Sequence, residues 1–500
     1  MDSRTHPAAL LDIDTDLAAS SGHSDGPAFR RIARQLKARI DSGALRRGTR
    51  LPPTRELARR LGVARNSIVD AYDELIADGL LEGRGRRGTF VTGDATPGAA
   101  SPVTNAPRET PPPTALQRHS VRRNRPDAAQ PADAPTHAAF DWRPGQANAR
   151  ALPIDAWRAA CREAGRTLPP QGYGDPRGDA SLRQAIADWL QQHRSVRVTA
   201  AQIVVTHGTG QALHLIARTL LQSGDRCVAE NPGYAGATLA FDSADASTVH
   251  VPVDAHGLCV EPAFDGDVSP VMLHVTPTHQ YPMGARLSGP RRRTLIDAAR
   301  AGGTLILENE YDCEFNYAGT DHPPLFSHAP DSTLLLSTFA KAVSPSLRLG
   351  FIAAPPDAAD ALAACVERER MHVSWPAQKI VEALLVSGEL DRHLRRIRRH
   401  YASLRASIRA RFDALDDARL ELLGDDGGVH VVIRGRTHDF DLRLQTALRD
   451  SGVVFDRVVD FATGDIDARG VLLAYGHMDA PMLDAALMRL QSCVAQLDAR

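Results

Sequence analysis

The chain has 500 residues, of which 43% are hydrophobic and 24% are charged, with a formal net charge of -1. This length exceeds what one hydrophobic core usually holds, and the composition excludes a fully disordered or collagen-like chain. The sequence contains no run of 18 apolar residues, and its N-terminus lacks the basic stretch followed by an apolar stretch that is typical of a signal peptide. The six cysteines show neither a CxxC motif nor metal-ligand spacing. We therefore expect a cytoplasmic protein with reduced thiols, no membrane partner and no metal site.

Positive charge is concentrated near the N-terminus. Residues 26–93 contain 15 Lys and Arg against 7 Asp and Glu. Such a segment is suited to a polyanion. Residues 94–139 are rich in Pro, Ala, Thr and Arg, which predicts a linker whose ends lie roughly 35–40 Å apart if it is a flexible coil. We predict a basic domain at 26–93, this linker at 94–139, and a large domain at 140–500.

Three helices and a hairpin are predicted in the basic domain. The first helix has an apolar face formed by Phe29, Ile32, Leu36 and Ile40. Thr54 is predicted to be the N-cap of a second helix over 56–61, which Gly62 ends. A third helix begins near Asn66 or Ser67, with four apolar side chains predicted to point inward: Ile68, Tyr72, Leu75 and Ile76. Glycines and arginines at 82–88 then predict the tip of a hairpin.

The exposed N-terminal end of the third helix is the place where a recognition helix contacts base edges. The stretches Leu51-Pro52-Pro53-Thr54-Arg55-Glu56-Leu57-Ala58, Val63-Ala64-Arg65-Asn66-Ser67-Ile68 and Gly88-Thr89-Phe90-Val91 resemble the GntR family of winged helix-turn-helix regulators. The resemblance implies double-stranded operator DNA as a partner. Candidate DNA contacts are Arg55, Arg65, Asn66, Ser67 and Thr89, the arginines being suited to bidentate bonds.

The large domain alternates apolar runs with helical patterns. Runs at 203–205, 271–273 and 304–307 read as strands, and 211–221 and 291–301 read as helices. This alternation predicts an α/β fold with a mostly parallel sheet.

Lys341 is the candidate for covalent chemistry. It follows a predicted buried strand, and burial lowers the pKa of an amine and makes it a nucleophile. Thr338 and Arg348 flank it with a hydroxyl and a fixed cation, which suits a phosphate monoester. Lysine, arginine and hydroxyl together indicate pyridoxal phosphate.

Four more segments lie at predicted strand ends, where α/β sheets bind ligands. Residues 207–211 could cradle phosphate at a helix N-terminus. Residues 231–234 place Tyr234 where it could stack on a pyridine ring, and 276–284 and 308–311 end two further strands.

From about Phe140 onward, these segments resemble a fold-type I aminotransferase, and the whole chain is similar to MocR regulators, which fuse such a domain to a GntR-type reader. The resemblance implies a homodimer, a smaller C-terminal α+β subdomain, and a Schiff base at Lys341. It also implies that Tyr234 stacks on the ring, that Tyr311 holds the ring hydroxyl, and that Tyr173 reaches the neighbouring subunit's phosphate. The remaining implied cofactor contacts are Gly208, Thr209, Gly210, Asn309, Thr338 and Arg348.

Two departures from this pattern concern catalysis. Asn309 stands where the family's aspartate pairs with the pyridinium nitrogen, and an amide cannot stabilise a protonated ring as a carboxylate can. Glu308 or Glu310 could substitute, although their neighbouring strand positions should point them elsewhere. Leu472 stands where an arginine clamps a substrate carboxylate, a role left open to Arg457 or Arg469, and Gly236 replaces an arginine of the GABA-sensing relatives.

Three functions follow as hypotheses. In the first, a pyridoxal phosphate-dependent transcriptional regulator responds to an amine or amino-acid effector through Schiff-base chemistry. In the second, the chain is an aminotransferase with a DNA-binding appendage. In the third, pyridoxal phosphate itself is the signal. Asn309 and Leu472 argue against turnover beyond half-transamination.

Overall fold

The computed structural model describes residues 27–92, 140–148, 151–317, 323–424 and 427–498. The chain divides into two compact units, Met1–Asn124 and Arg125–Arg500. The predicted linker at 94–139 lies outside the described residues. In the parts of the chain that are described, no helix has both the length and the apolar character needed to cross a bilayer.

The N-terminal unit consists of three helices and a two-stranded hairpin. Its helices are α1 (Ala28–Asp41), α2 (Thr54–Leu61) and α3 (Arg65–Ala77), and its antiparallel strands are β1 (Leu81–Gly83) and β2 (Thr89–Val91). Ile32, Leu36 and Ile40 are buried, as their spacing predicts. Gly62 ends α2 with a φ of 64°, in the left-handed region that favours glycine.

Two local predictions in this unit are wrong. Thr54 is the first residue of α2 and not its N-cap; Pro53 occupies the cap position without a side-chain hydrogen bond. Ile76 is 39% exposed instead of packed inward. It lies eight residues after Ile68, about 80° around the helix from it, and therefore falls at the edge of the buried stripe.

The second unit is built on an eight-stranded sheet with the order β4-β11-β10-β9-β8-β5-β6-β7. The strands are β4 (Ile203–Thr206), β5 (Arg226–Asn231), β6 (Ser247–Asp254), β7 (Gly257–Leu258), β8 (Met272–Val275), β9 (Leu305–Glu310), β10 (Thr333–Thr338) and β11 (Gly350–Ala353). Strands β10, β9, β8, β5 and β6 run parallel, while β11 and β7 are antiparallel to their neighbours. The predicted mostly parallel α/β sheet is confirmed.

Helices cover both faces of this sheet because neighbouring strand residues point to opposite sides. Leu307 packs in a core with the helices Thr209–Leu220 and Ala235–Ser243, whereas Ile306 packs in another core with the helix Gly289–Gly302. The helices before and around the sheet are α4 (Ile154–Ala164), α5 (Ala180–Arg194), α6 (Thr209–Leu220), α7 (Ala235–Ser243), α8 (Val260–Ala263), α9 (Gly289–Gly302) and α10 (Leu325–His328). Those that follow are α11 (Pro356–Glu369), α12 (Trp375–Val386) and α13 (Glu389–Leu415).

A smaller α+β portion completes the unit. It contains the antiparallel strands β12 (Leu420–Leu423), β13 (His430–Gly435) and β15 (Val471–Ala474), with helices α14 (His438–Asp450) and α15 (Ala480–Asp498). The short strand β3 (Phe140–Asp141) pairs in parallel with β14 (Val453–Val454), which attaches the start of the unit to its end.

Candidate functional site

A cavity of about 280 Å³ lies at the carboxyl edge of the large sheet, where the ends of β4, β9 and β10 contribute to its wall. Since β4 is antiparallel to β11 and β11 to β10, the ends of β4 and β10 meet at the same edge as those of the parallel strands. Nine of the ten residues predicted to bind the cofactor line it: Gly208, Thr209, Gly210, Tyr234, Asn309, Tyr311, Thr338, Lys341 and Arg348.

Lys341 lies just beyond β10 and presents a partly buried side chain to the cavity. Burial lowers its pKa to about 8, partly opposed by the negative charge of Asp312. A substantial fraction of the amine is therefore neutral, and able to attack an aldehyde, at physiological pH. The Thr338 hydroxyl donates to the Leu349 carbonyl at 3.3 Å and accepts the Ala340 N–H at 3.1 Å, which fastens the turn that carries Lys341.

An anion site occupies one end of the cavity. Helix α6 begins at Thr209 directly after Gly208, whose φ is 92°. The first N–H groups of a helix lack intrahelical partners and carry the positive end of its dipole. A Cβ added to Gly208 would lie 3.8 Å from an Arg348 guanidinium nitrogen, which places that cation beside the first turn of α6. Backbone donors and a guanidinium together suit a phosphate group.

Tyr234 forms an aromatic wall of the cavity. It precedes α7, and burial raises the pKa of its hydroxyl. The Tyr281 ring packs edge-on against it, with centroids 6.0 Å apart. A Cβ at Gly236 would lie 2.5 Å from a Tyr234 ring carbon, so the Tyr234 ring occupies the space that a side chain at position 236 would need. The absence of an arginine at 236 thus has a steric reason.

Tyr311 is held by a buried polar cluster that the sequence did not predict. Its hydroxyl shares a 2.9 Å hydrogen bond with Nδ1 of His279, and Oδ2 of Asp312 lies 3.2 Å from the same nitrogen. The His430 ring is 5.0 Å from that of His279 and donates from Nε2 to the Pro282 carbonyl at 2.9 Å. Donor atoms of His279, Asp312 and His430 lie within 4.8 Å of one another. This cluster fixes the position of the Tyr311 hydroxyl.

Asn309 lines the cavity and is almost fully buried. Its side-chain amide lies 3.2 Å from Nε2 of His274, which projects from the adjacent strand β8. Glu308 accepts the Leu325 and Phe326 N–H groups at the start of α10, and Glu310 accepts the Thr278 hydroxyl at 2.6 Å. Neither glutamate is among the residues that line the cavity, so neither takes the place of the missing aspartate.

These residues fit pyridoxal phosphate. Lys341 would offer an amine of lowered pKa to the aldehyde, Arg348 and the α6 terminus would hold the phosphate, and Tyr234 and Tyr311 would contact the ring and its hydroxyl. One end of the Asn309 side-chain amide is buried with no partner within the described residues, which points to a missing ligand at that wall. When bound, the cofactor supplies an electrophilic aldehyde and an electron-withdrawing ring.

The position predicted to lack a carboxylate clamp holds a buried leucine that is not among the residues lining the cavity. Leu472 is fully buried and packs with Val432 and Val458. The two arginines left open as replacements are engaged elsewhere, Arg457 with Asp460 at 2.5 Å and Arg469 with Asp467 at 2.6 Å. Neither lines the cavity, so neither replaces the clamp in this structure.

Tyr173 is the predicted cofactor residue that the structure does not bring to the cavity. It is 69% exposed and packs against the His372 ring at 5.4 Å, with Arg370 over its face at 5.2 Å. Its role toward a neighbouring subunit's phosphate stays a prediction.

The predicted DNA contacts lie on the surface of the N-terminal unit. Arg55 on α2 and Arg65 and Asn66 at the start of α3 are exposed, and Ser67 and Thr89 are partly buried. Helix α3 starts at Arg65, so its first turn presents the residues that the recognition-helix interpretation requires. Their contacts with DNA stay predictions.

Comparison with known proteins agrees with both units. Residues 29–91 match the family described as bacterial regulatory proteins, gntR family, and residues 144–489 match aminotransferase class I and II. The chain is 31% identical over 95% of its length to the probable rhizopine catabolism regulatory protein MocR of Rhizobium meliloti, of which it covers 95%. It is also 31% identical to the pyridoxine biosynthesis regulator PdxR of Corynebacterium glutamicum, over 93% of this chain and 95% of that protein.

Among solved structures, the α-aminoadipate aminotransferase LysN of Thermus thermophilus matches with a TM-score of 0.65 and 23% identity, over 72% of this chain and 93% of LysN. This likeness shows that the large unit has the fold-type I aminotransferase fold. The two family matches and the full-length relatives place a GntR-type reader and an aminotransferase domain in one polypeptide. The chain therefore belongs to the MocR-type regulators, which are pyridoxal phosphate-dependent, DNA-binding transcriptional regulators.

Proposed function

We propose that this regulator senses pyridoxal phosphate itself, so that occupancy of the cavity by the cofactor is the signal passed to operator DNA. The supporting observation is the small number of positively charged side chains that line the cavity. Among its lining residues in the described part of the chain, the cations are Lys341 and Arg348, because burial lowers the pKa of His430 to about 4 and keeps that ring neutral.

Each of the two cations would bind a different group of the cofactor. Lys341 takes the aldehyde, and Arg348 beside the α6 terminus takes the phosphate. No cation is then left among these lining residues for the carboxylate of an amino acid, and Leu472, which stands at the sequence position of the family's clamp, is buried outside the lining. A carboxylate buried without a partner is strongly disfavoured. Amines that lack a carboxylate are the second candidate signal, because their binding would not bury an unpaired carboxylate in this cavity.

Turnover as an aminotransferase is disfavoured by the same cavity. A protonated ring nitrogen is the electron sink for transamination, and Asn309 offers an amide where a carboxylate would stabilise that proton. We infer that the chain performs half-transamination at most. The pyridoxine regulator PdxR, at 31% identity, is a relative whose name links this architecture to the vitamin that yields the cofactor.

We further infer that the protein is a homodimer acting in the cytoplasm, where operator DNA is found. Tyr173 lies outside the cavity of its own chain, exposed at 69%, and two apolar side chains near it in the sequence are also exposed, Ile154 at 56% and Leu168 at 91%. We infer that these exposed groups belong to a surface between two copies of the chain. A second copy of the chain would cover them and bring Tyr173 to a neighbouring phosphate site.

The test compares DNA binding with and without the cofactor. Operator DNA is first selected from a random oligonucleotide pool with the full-length dimer. Affinity for it is then measured for cofactor-free protein, after addition of pyridoxal phosphate, and after further addition of amino acids or of simple amines. We expect pyridoxal phosphate alone to change the affinity, and amino acids to add nothing.

Two outcomes would contradict the proposal. If pyridoxal phosphate binds but DNA affinity changes only when an amino acid is added, the signal is that effector. If the loaded protein releases keto acid steadily at roughly 1 per second or faster, it is an aminotransferase. Arg348→Ala serves as the matched variant, because it should weaken cofactor binding and leave DNA binding by the cofactor-free protein unchanged.

A further inference from the structure

The pair formed by Asn309 and His274 determines what the cavity offers to the ring nitrogen of a bound cofactor. His274 lies on β8 and Asn309 on β9, which pair in parallel with His274 opposite Leu307. Positions 307 and 309 face the same side of the sheet, so the two side chains meet diagonally. Their side chains are 1% and 4% exposed, and the amide is 3.2 Å from the imidazole Nε2.

The protonation of His274 follows from its surroundings. Burial lowers its pKa to about 4, so the ring is neutral and carries one N–H. Within the described residues Nδ1 of His274 has no hydrogen-bond partner. A buried N–H without a partner is rarer than an unsatisfied acceptor atom, so the proton belongs on Nε2, where the amide can accept it.

The tautomer of His274 in turn orients the Asn309 amide. The two ends of an amide have the same shape, and the hydrogen-bond network decides which atom lies where. An Nε2–H that donates requires the Asn309 oxygen to face His274. The NH₂ group then occupies the other position, which has no partner within the described residues and lies in a residue that lines the cavity. Asn309 thus presents donors to the cavity.

We propose that His274 is a positioning residue that turns the Asn309 amide so that its NH₂ group donates to the ring nitrogen, and that the site therefore binds the cofactor with this nitrogen unprotonated. The inference rests on the proposed function, because it requires the cofactor to occupy the cavity. It adds the physical reason for weak transamination: the ring nitrogen keeps its lone pair as an acceptor. With an aspartate at 309, the same place would instead attract a proton to the nitrogen.

The test uses pyridoxal phosphate labelled with ¹⁵N in the ring and bound to the full-length protein. Protonated and unprotonated pyridine nitrogens have well-separated ¹⁵N chemical shifts, so the readout does not depend on activity. We expect an unprotonated shift in the wild type and a protonated one in Asn309→Asp. His274→Phe removes the donor that orients the amide and should broaden the signal or move it away from the wild-type position.

Two further variants separate positioning from packing. His274→Gln keeps a side-chain N–H and should restore the wild-type shift. His250→Phe, on β6 of the same sheet, removes a histidine whose bond is to Thr238 and should leave the shift unchanged. A wild-type protein that binds the cofactor with a protonated ring nitrogen would overturn the inference and leave the proposed function standing. If no ¹⁵N label remains with the wild-type protein after dialysis, the protein binds no cofactor, and both the inference and the proposed function would be overturned.

Discussion

The two folded units place their candidate functional residues in opposite environments. In the DNA-binding unit, Arg55 and Arg65 lie on the surface, outside the apolar core of the three helices. In the aminotransferase unit, Lys341 and Asn309 line a cavity in which burial shifts protonation and leaves polar atoms unpaired. Surface residues can therefore be replaced at little cost to folding, whereas each replacement in the cavity changes both chemistry and stability.

The largest expected effect is the loss of cofactor binding by the large unit with no change in DNA binding by the small unit. Lys341→Ala removes the amine that we propose holds the cofactor, so the visible absorption band of the loaded protein should disappear. Borohydride reduction of the loaded wild type should place the cofactor mass on the peptide containing Lys341. The chain has three lysines, Lys37, Lys341 and Lys379, which makes the assignment direct.

Lys379→Ala is the matched control for this prediction. Lys379 pairs with Glu382 and Asp179, and it is not among the residues that line the cavity. The control should keep the band, and both variants should bind unrelated DNA as the wild type does. Retention of the band in Lys341→Ala would place the cofactor elsewhere.

The buried lysine should also cost stability in the cofactor-free protein. Its folded pKa of about 8 lies below the ordinary 10.5, so between pH 8 and 10.5 the unfolded chain holds a proton that the folded chain has released. Stability therefore rises with pH through that window, and the penalty is fully present below pH 8. Lys341→Met should stabilise the large unit by up to about 3 kcal/mol at pH 7, and by almost nothing above pH 10.5.

Chemical unfolding at the two pH values measures this effect, with Lys379→Met as control. An equal gain at both pH values would mean that the added stability comes from apolar packing of the methionine and not from removal of a buried charge.

The DNA-binding unit offers a contrast between two exposed arginines. Arg65 begins α3, the predicted recognition helix, and Arg87 lies at the tip of the hairpin. Arg65→Ala should cost about 1–3 kcal/mol in operator affinity and reduce discrimination against unrelated DNA. Arg87→Ala should weaken both kinds of DNA alike and lower the salt dependence by about one charge. Fluorescence anisotropy at several salt concentrations distinguishes the two; equal loss on both DNAs in Arg65→Ala would remove it from base recognition.

The comparison also explains what the sequence could predict. The helices of the small unit follow from local apolar spacing, and Lys341, Thr338 and Arg348 lie within one short segment, so their proximity can be read along the chain. His274 and His279 could not be assigned roles in this way. His274 lies within the apolar strand β8 and His279 lies four residues beyond it, and their partners are Asn309 on the neighbouring strand β9 and Tyr311 just past its end. Such contacts depend on strand register, which a single sequence does not fix.

The smallest expected effect tests whether Asp312, a member of the buried cluster around Tyr311, changes the pKa of Lys341. The Asp312 carboxylate favours the charged form of the lysine and so raises its pKa against the effect of burial. Asp312→Asn removes that charge, and the pKa of Lys341 should fall below about 8. Because only the neutral amine attacks an aldehyde, the pH midpoint for the rate of cofactor attachment should move down from near 8, with faster attachment at pH 7.

Stopped-flow absorbance between pH 6 and 10 records this midpoint. Asp254→Asn is the control, since Asp254 pairs with Arg291 and is not among the residues that line the cavity. Asp312 also lies 3.2 Å from His279, so a changed amplitude of attachment would report disturbance of the Tyr311 cluster, separately from the midpoint. An unmoved midpoint would mean that burial alone sets the charge of Lys341, and the cavity would then respond to its ligand without help from the cluster behind it.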